Sequence, residues 1–204
     1  MSGPLVLLTD RSQLRLGRGL VRTVAECAAA GLTTVVVREH DLGPVAREAL
    51  VARLARVDGL TVLSSRLPSL AAHGVHLAAH QPAPEGRPPA GRSCHDVAEV
   101  VAAVAERASY VTLSPFAATA SKPGHGPALP PATYAAARRA TAGSGTRVLA
   151  LGGVGPTEVG PALAAGAHGV AVMGAVMRAA DPADVVRRLL DALAAGPCAT
   201  GGAA

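Results

Sequence analysis

The chain has 204 residues, half of them hydrophobic, 16% charged and 1% aromatic, with a formal net charge of +5. That apolar fraction excludes a disordered chain and is enough to fill the core of one domain. The charge does not point to nucleic acid, because Arg18, Arg22, Arg47, Arg53, Arg56, Arg107 and Arg187 are scattered over polar helix faces and almost no ring is available for base stacking.

Short apolar, β-branched runs alternate with longer segments of helical period along nearly the whole chain. The strands are expected at Pro4–Thr9, Thr33–Arg38, Leu60–Ser64, Gly74–Ala78, Gly91–Cys94, Tyr110–Ser114, Arg147–Leu151 and His168–Met173. Between them lie helical segments that include "GLVRTVAECAAAG", "VAREALVARLARV", "LPSLAAHG", "DVAEVVAAVAERA", "PATYAAARRATAG", "PTEVGPALAAGA" and "PADVVRRLLDALAAG". Proline in first turns and glycine just past helix ends punctuate most of them. The segment "AHQPAPEGRPPA" is too rich in proline for a helix and is expected to be a loop.

Continuously apolar strands separated by helices imply a parallel sheet covered on its outer face. Eight such units close as a single (β/α)8 TIM barrel over residues 1–195, with a disordered tail at 196–204; a doubly wound open sheet is the competing architecture. Cys27, Cys94 and Cys198 are odd in number and unpaired in spacing, which fits a reducing cytoplasm. No apolar run reaches the roughly 20 uninterrupted residues of a membrane span. A homo-oligomer is left open.

In a barrel the working face lies at the C-terminal ends of the strands. "LGGVGPTEV" and "VMGAV" follow the last two strands, where Gly152, Gly153, Met173 and Gly174 let backbone amides approach a phosphate. "TASK" adds the Thr119 and Ser121 hydroxyls and the ammonium of Lys122, the one lysine among 19 Lys and Arg residues. Arg38 and Glu39 end the second strand either as a surface salt bridge or, as the barrel position favours, as an anion clamp and its partner. Ser93 lies at the end of the fifth strand, and His95, beside Cys94, is a candidate general acid or base. His73, His76 and His80 have a spacing that suits metal on a helix, but "GVHL" reads as a strand and separates them.

The ordered set "LLTDR", "VVVREHDL", "LSSR", "GVHL", "GRSCHD", "YVTLSPFAATASKPG", "LALGGV" and "AAGAHGVAVMGAV" resembles the thiamine phosphate synthase and TenI family over almost the whole chain. The resemblance implies a small phosphorylated thiazole as ligand, with Thr119 and Ser121 on its phosphate and Lys122 facing the diphosphate of a pyrimidine substrate. Gly153 and the Met173–Gly174 turn complete the cradle. The chain departs from the synthase pattern where that pattern has Gln at Val36, Lys at His40, Asn-Asp-Arg at Ser64, Ser65 and Arg66, and a second metal-binding Asp near His80 or Gln81. Those carboxylates hold Mg2+ in the synthases. The TenI-type branch has no such metal site and moves a proton on thiazole carboxylate phosphate, using a histidine where this chain has Pro115.

The expectation is therefore a TenI-like thiazole tautomerase without a cofactor, in which His95 or Glu39 transfers the proton. Arg38, His40, Ser93, Thr119, Ser121, Lys122, Gly152, Gly153, Met173 and Gly174 are expected to bind substrate. The alternatives are a thiamine phosphate synthase, with Mg2+ in that case only, and a non-catalytic thiazole or thiamine phosphate binder.

Overall fold

A computed structural model describes residues 3–15, 17–84, 89–118 and 127–197. Eight parallel strands close on themselves in chain order. They are β1 (Leu5–Leu8), β2 (Thr34–Val37), β3 (Thr61–Ser65), β4 (Gly74–Leu77), β5 (Gly91–Cys94), β6 (Tyr110–Leu113), β7 (Arg147–Leu151) and β8 (Gly169–Val172). Closure of β1 on β8 through Leu5↔Val170 and Leu7↔Val172 excludes the open sheet. The strands fall where the apolar runs place them, each trimmed or shifted by a residue at one or both ends, or unchanged at β5 and β7.

Helices α1 (Leu20–Ala29), α2 (Pro44–Leu54), α3 (Val97–Ala105), α4 (Pro131–Ala140), α5 (Val159–Ala165), α6 (Gly174–Met177) and α7 (Pro182–Ala195) surround the barrel. Asp96 and Asp181 cap α3 and α7 by accepting from the amides of Glu99 and Asp184. Residues 198–204, the greater part of the expected disordered tail, lie outside the described residues. No helix among the described residues is long and apolar enough to cross a membrane.

Strand alternation sorts the core into two shells. Leu5, Leu7, Val35, Val37, Val62, Val111 and Val148 face the helices, while Val6, Leu8, Val36, Leu63, Tyr110, Leu149 and Ala171 fill the barrel. Gly91 is required there, because a Cβ on it would lie 2.6 Å from the Tyr110 hydroxyl and closer still to its ring.

The expected helix at "LPSLAAHG" does not form. Arg66 donates its amide to the His76 carbonyl and His73 its amide to that of Val62, so the chain must return to β4 within a few residues that include Pro68. With no helix following β3 or β4 among the described residues, Arg92 helps cover β5 from outside. Its Nη1 donates to the carbonyls of Ala78, Ala79 and Gln81 at 2.7–3.0 Å, and its Nη2 lies 2.6 Å from Glu106 Oε2. On the neighbouring side, Arg47 of α2 donates to the carbonyls of Val37 and Ser65, fixing the C-terminal ends of β2 and β3.

Candidate active site

The C-terminal mouth of the barrel opens into a cavity of about 490 Å³. Arg38, Ser93, His95, Gly152, Gly153, Met173 and Gly174 of the expected set line it, together with Ser65, Arg66, His76, Glu158 and Arg178. Thr119, Ser121 and Lys122 lie outside the described residues; Ala118, immediately before them, lines the cavity.

On the β7 side, Gly152 and Gly153 hold φ angles of +97° and +66°, which L side chains rarely adopt. A Cβ on Gly153 would lie 2.5 Å from the Ala118 carbonyl and 2.8 Å from that of Ala117. These glycines therefore admit the backbone of the loop that leads to Thr119. Phe116 and Ala117 donate their amides to the carbonyls of Leu151 and Gly152, at 2.8 and 2.9 Å. Phe116 also packs edge-on against Tyr134, whose hydroxyl donates to the Leu113 carbonyl at 2.9 Å. Gly155 donates its amide to Glu158 at 2.8 Å, so the one acidic side chain on the lining among the described residues is engaged by its own turn.

On the other side stand Arg38, after β2, and Ser65 and Arg66, at the end of β3. The Arg38 amide donates to Thr9 Oγ1 at 3.0 Å and its guanidinium lies against Met173 Sδ. Burial holds the Arg38 pKa below the usual arginine value, with the Asp10 carboxylate opposing that effect. An arginine so placed still carries its charge at any ordinary pH. Arg178 reaches the cavity from beyond α6 and donates to Gln13 Oε1.

Glu39 is not on the cavity lining, which corrects its assignment as a proton-transfer group. Its carboxylate accepts from the Arg11 amide at 3.1 and 3.2 Å and from Arg11 Nη1 at 3.0 Å, and Arg11 continues to Asp41. It is a latch between the ends of β1 and β2. His40 is exposed and off the lining as well, with Nε2 3.3 Å from Ser65 Oγ. Partial burial, then Arg66, Arg38 and Arg47, push its pKa down.

His95 does line the cavity. Its Nδ1 lies 3.1 Å from the Ser114 carbonyl and 3.3 Å from Ser114 Oγ; where it donates to the carbonyl, Nε2 is left as the acceptor of the neutral ring. The three histidines of the β3–β5 region are separated, as the strand assignment requires. His73 accepts from the Val62 amide, His76 is buried inside the barrel, and His80 is exposed beside Glu99.

The donor set does not suit Mg2+ where the family resemblance would put it. That ion calls for carboxylates, whereas Ser64 Oγ donates to the Leu67 carbonyl, Ser65 faces His40, and Gln81 binds the carbonyl of Arg66. Among the described residues no cluster of acidic, histidine or cysteine side chains could hold a metal ion.

The sequence profile of the thiamine monophosphate synthase family matches residues 5–176, from the first strand through the short helix after the last. The chain belongs to that family. It is 36% identical to the thiamine-phosphate synthase of Methanoculleus marisnigri, over 96% of this chain and 97% of that protein. It is 34% identical to the thiamine-phosphate synthase of Salinispora tropica, over 94% and 97% of the two chains. Its fold is similar to that of the thiamine phosphate pyrophosphorylase of Pyrococcus furiosus, with a TM-score of 0.78, 21% identity and coverage of 94% and 96%. These names support the synthase side of the family rather than the tautomerase branch expected from the sequence.

Sequence reasoning left Arg66, His76 and Arg178 out of the site. Arg66 follows β3 and was open to the same strand-end argument as Arg38. His76 was weighed only for metal spacing, and Arg178, beyond a helix, carried no such signal.

Proposed function

We propose that this chain is a transferase of the thiamine-phosphate synthase type, joining hydroxymethylpyrimidine diphosphate to thiazole phosphate in the cavity. The observation that carries the reading is that one cavity presents two sets of groups suited to anions: a wall of glycine turns after β7 and β8, and a wall of arginines after β2 and β3 that meets the first where Arg38 reaches Met173. A one-substrate isomerase uses a single phosphate and leaves the second wall unexplained. The synthase names of relatives that align over more than nine-tenths of this chain point the same way.

In this reading thiazole phosphate lies against Gly153 and the Met173–Gly174 turn, and Thr119 and Ser121 bind its phosphate. Lys122, Arg38 and Arg66 face the diphosphate. Fixed guanidinium donors stabilise charge as it grows on a departing diphosphate. No step is assigned to a divalent ion, since the carboxylates that would hold one are absent from the positions where the family places them. Incubation with both substrates, with Mg2+ or with a chelator, tests this. Thiamine phosphate and pyrophosphate are expected in both conditions, and no product in either would sink the transferase reading.

A second reading, proton transfer on thiazole carboxylate phosphate, is favoured by His95, whose acceptor Nε2 belongs to a ring on the cavity wall. Uptake of solvent deuterium into the thiazole above the buffer rate, without thiamine phosphate formation, would select it. Binding without turnover in either assay would select the non-catalytic binder.

A further inference from the structure

Inside the barrel, beneath the cavity, three polar side chains from three strands form a chain. Tyr110 Oη lies 3.0 Å from His76 Nδ1, and His76 Nε2 lies 3.0 Å from Ser93 Oγ. Tyr110 and His76 are 9% and 3% exposed, whereas Ser93 is half-buried on the cavity lining. The rings of Tyr110 and His76 also stack, with centroids 5.6 Å apart.

Hydrogen-bond bookkeeping gives this chain a direction. Among the described residues the Tyr110 hydroxyl has one partner, His76 Nδ1, and a buried hydroxyl has to place its proton on an acceptor. Tyr110 therefore donates to Nδ1. The imidazole then carries its proton on Nε2 and donates to Ser93 Oγ. With its oxygen accepting from His76, the Ser93 hydroxyl turns its own proton into the cavity.

We propose that Tyr110 and His76 are positioning residues that fix Ser93 as a hydrogen-bond donor to an unprotonated phosphoryl oxygen of the bound diphosphate. The inference rests on reading the cavity as a two-anion site. A serine hydroxyl left free to rotate would present either its proton or its lone pairs to the ligand. The relay removes the second choice, so a neutral donor is aimed at an anion from a wall where a further arginine would have to be buried. The relay needs a neutral ring, since an imidazolium would leave Tyr110 nothing to donate to. Burial, then Arg38 and Arg92, push the His76 pKa down to about 3, in keeping with that.

Two measurements test the proposal. The first is 15N NMR of the wild-type chain, in which His76 is expected as the Nε2–H tautomer; the Nδ1–H tautomer would overturn the relay whatever the cavity binds. The second is a double-mutant cycle read by calorimetric titration with inorganic pyrophosphate. Ser93→Ala is expected to weaken binding about tenfold, in line with loss of a hydrogen bond to a charged acceptor. Tyr110→Phe is expected to weaken it about threefold when Ser93 is present and not at all in the Ser93→Ala background. Equal losses in both backgrounds, or no loss in either, would make Tyr110 merely structural and overturn the relay. Failure of the wild-type chain to bind pyrophosphate would overturn the anion reading, and with it the role given to Ser93.

Discussion

Arg92 and Arg38 lie on the same barrel and do opposite work. Arg92 points out of β5, and backbone carbonyls and Glu106 take up its guanidinium, as Val37 and Ser65 take up that of Arg47. Arg38 follows β2 into the mouth, where its guanidinium rests on a methionine sulfur and faces open volume. Net charge counts the two kinds alike. What separates them is where the guanidinium lies: Arg92 and Arg47 are buried among carbonyls of the protein itself, whereas Arg38 lines the cavity, where its donors are open to a ligand.

The comparison breaks most visibly at Arg92. Arg92→Ala strands Glu106 and three carbonyls, and is expected to lower the unfolding free energy by about 3–5 kcal/mol. The shift of the urea midpoint measures it, and a loss within experimental error would place Arg92 with the ligand-binding arginines.

Arg38→Ala is expected to do the reverse. Pyrophosphate affinity should fall by about ten- to a hundredfold, as for loss of one or more charged hydrogen bonds, while the urea midpoint stays near that of the wild type.

A smaller effect comes from His76, which lies in the field of one arginine of each kind. Its pKa is depressed on folding, so the neutral ring stabilises the folded state fully above the unfolded value of 6.5 and progressively less as pH falls toward about 3. Its contribution to the slope in that window is about 1.4 kcal/mol per pH unit. His76→Asn should flatten the fall in stability measured by urea titration between pH 6 and pH 4. The smallest effect is expected at Glu39→Gln, which loosens the Arg11 latch and costs about 1–2 kcal/mol of stability. Product formation per folded molecule should not change, and a loss of turnover there would restore Glu39 to the chemistry.

Strands such as β1, β2 and β8 were legible because a barrel strand facing helices on one side and the filled interior on the other is apolar along most of its length, whereas β3, β4 and β5 carry Ser, His and Arg among their apolar residues. The same continuity hid α6, whose Gly-Ala-Val-Met reads like an extension of the apolar run in β8. "LPSLAAHG" had helical composition but lacked the length, and only the pairing of β3 with β4 reveals this. At the site, strand-end position brought out Arg38, Ser93, His95 and the glycine turns.

Glu39 was misplaced by neglecting alternation. It is the neighbour of a cavity residue at the strand end, and the neighbour faces the other way. The Tyr110–His76–Ser93 chain had no sequence signal at all, since its members are 34 and 17 positions apart and meet only when the barrel closes.

The central claim is that the mouth takes two anions, one at the glycine turns and one at the strand-end arginines, the second without carboxylate-held metal. A crystal structure with thiamine phosphate and pyrophosphate bound tests it most directly. The account predicts the thiamine phosphate group against Gly153 and Gly174, and pyrophosphate on Arg38 and Arg66 with no ion bridging it to the protein. A single anion in the cavity, or pyrophosphate bound through a metal held by side chains of this chain, would contradict it.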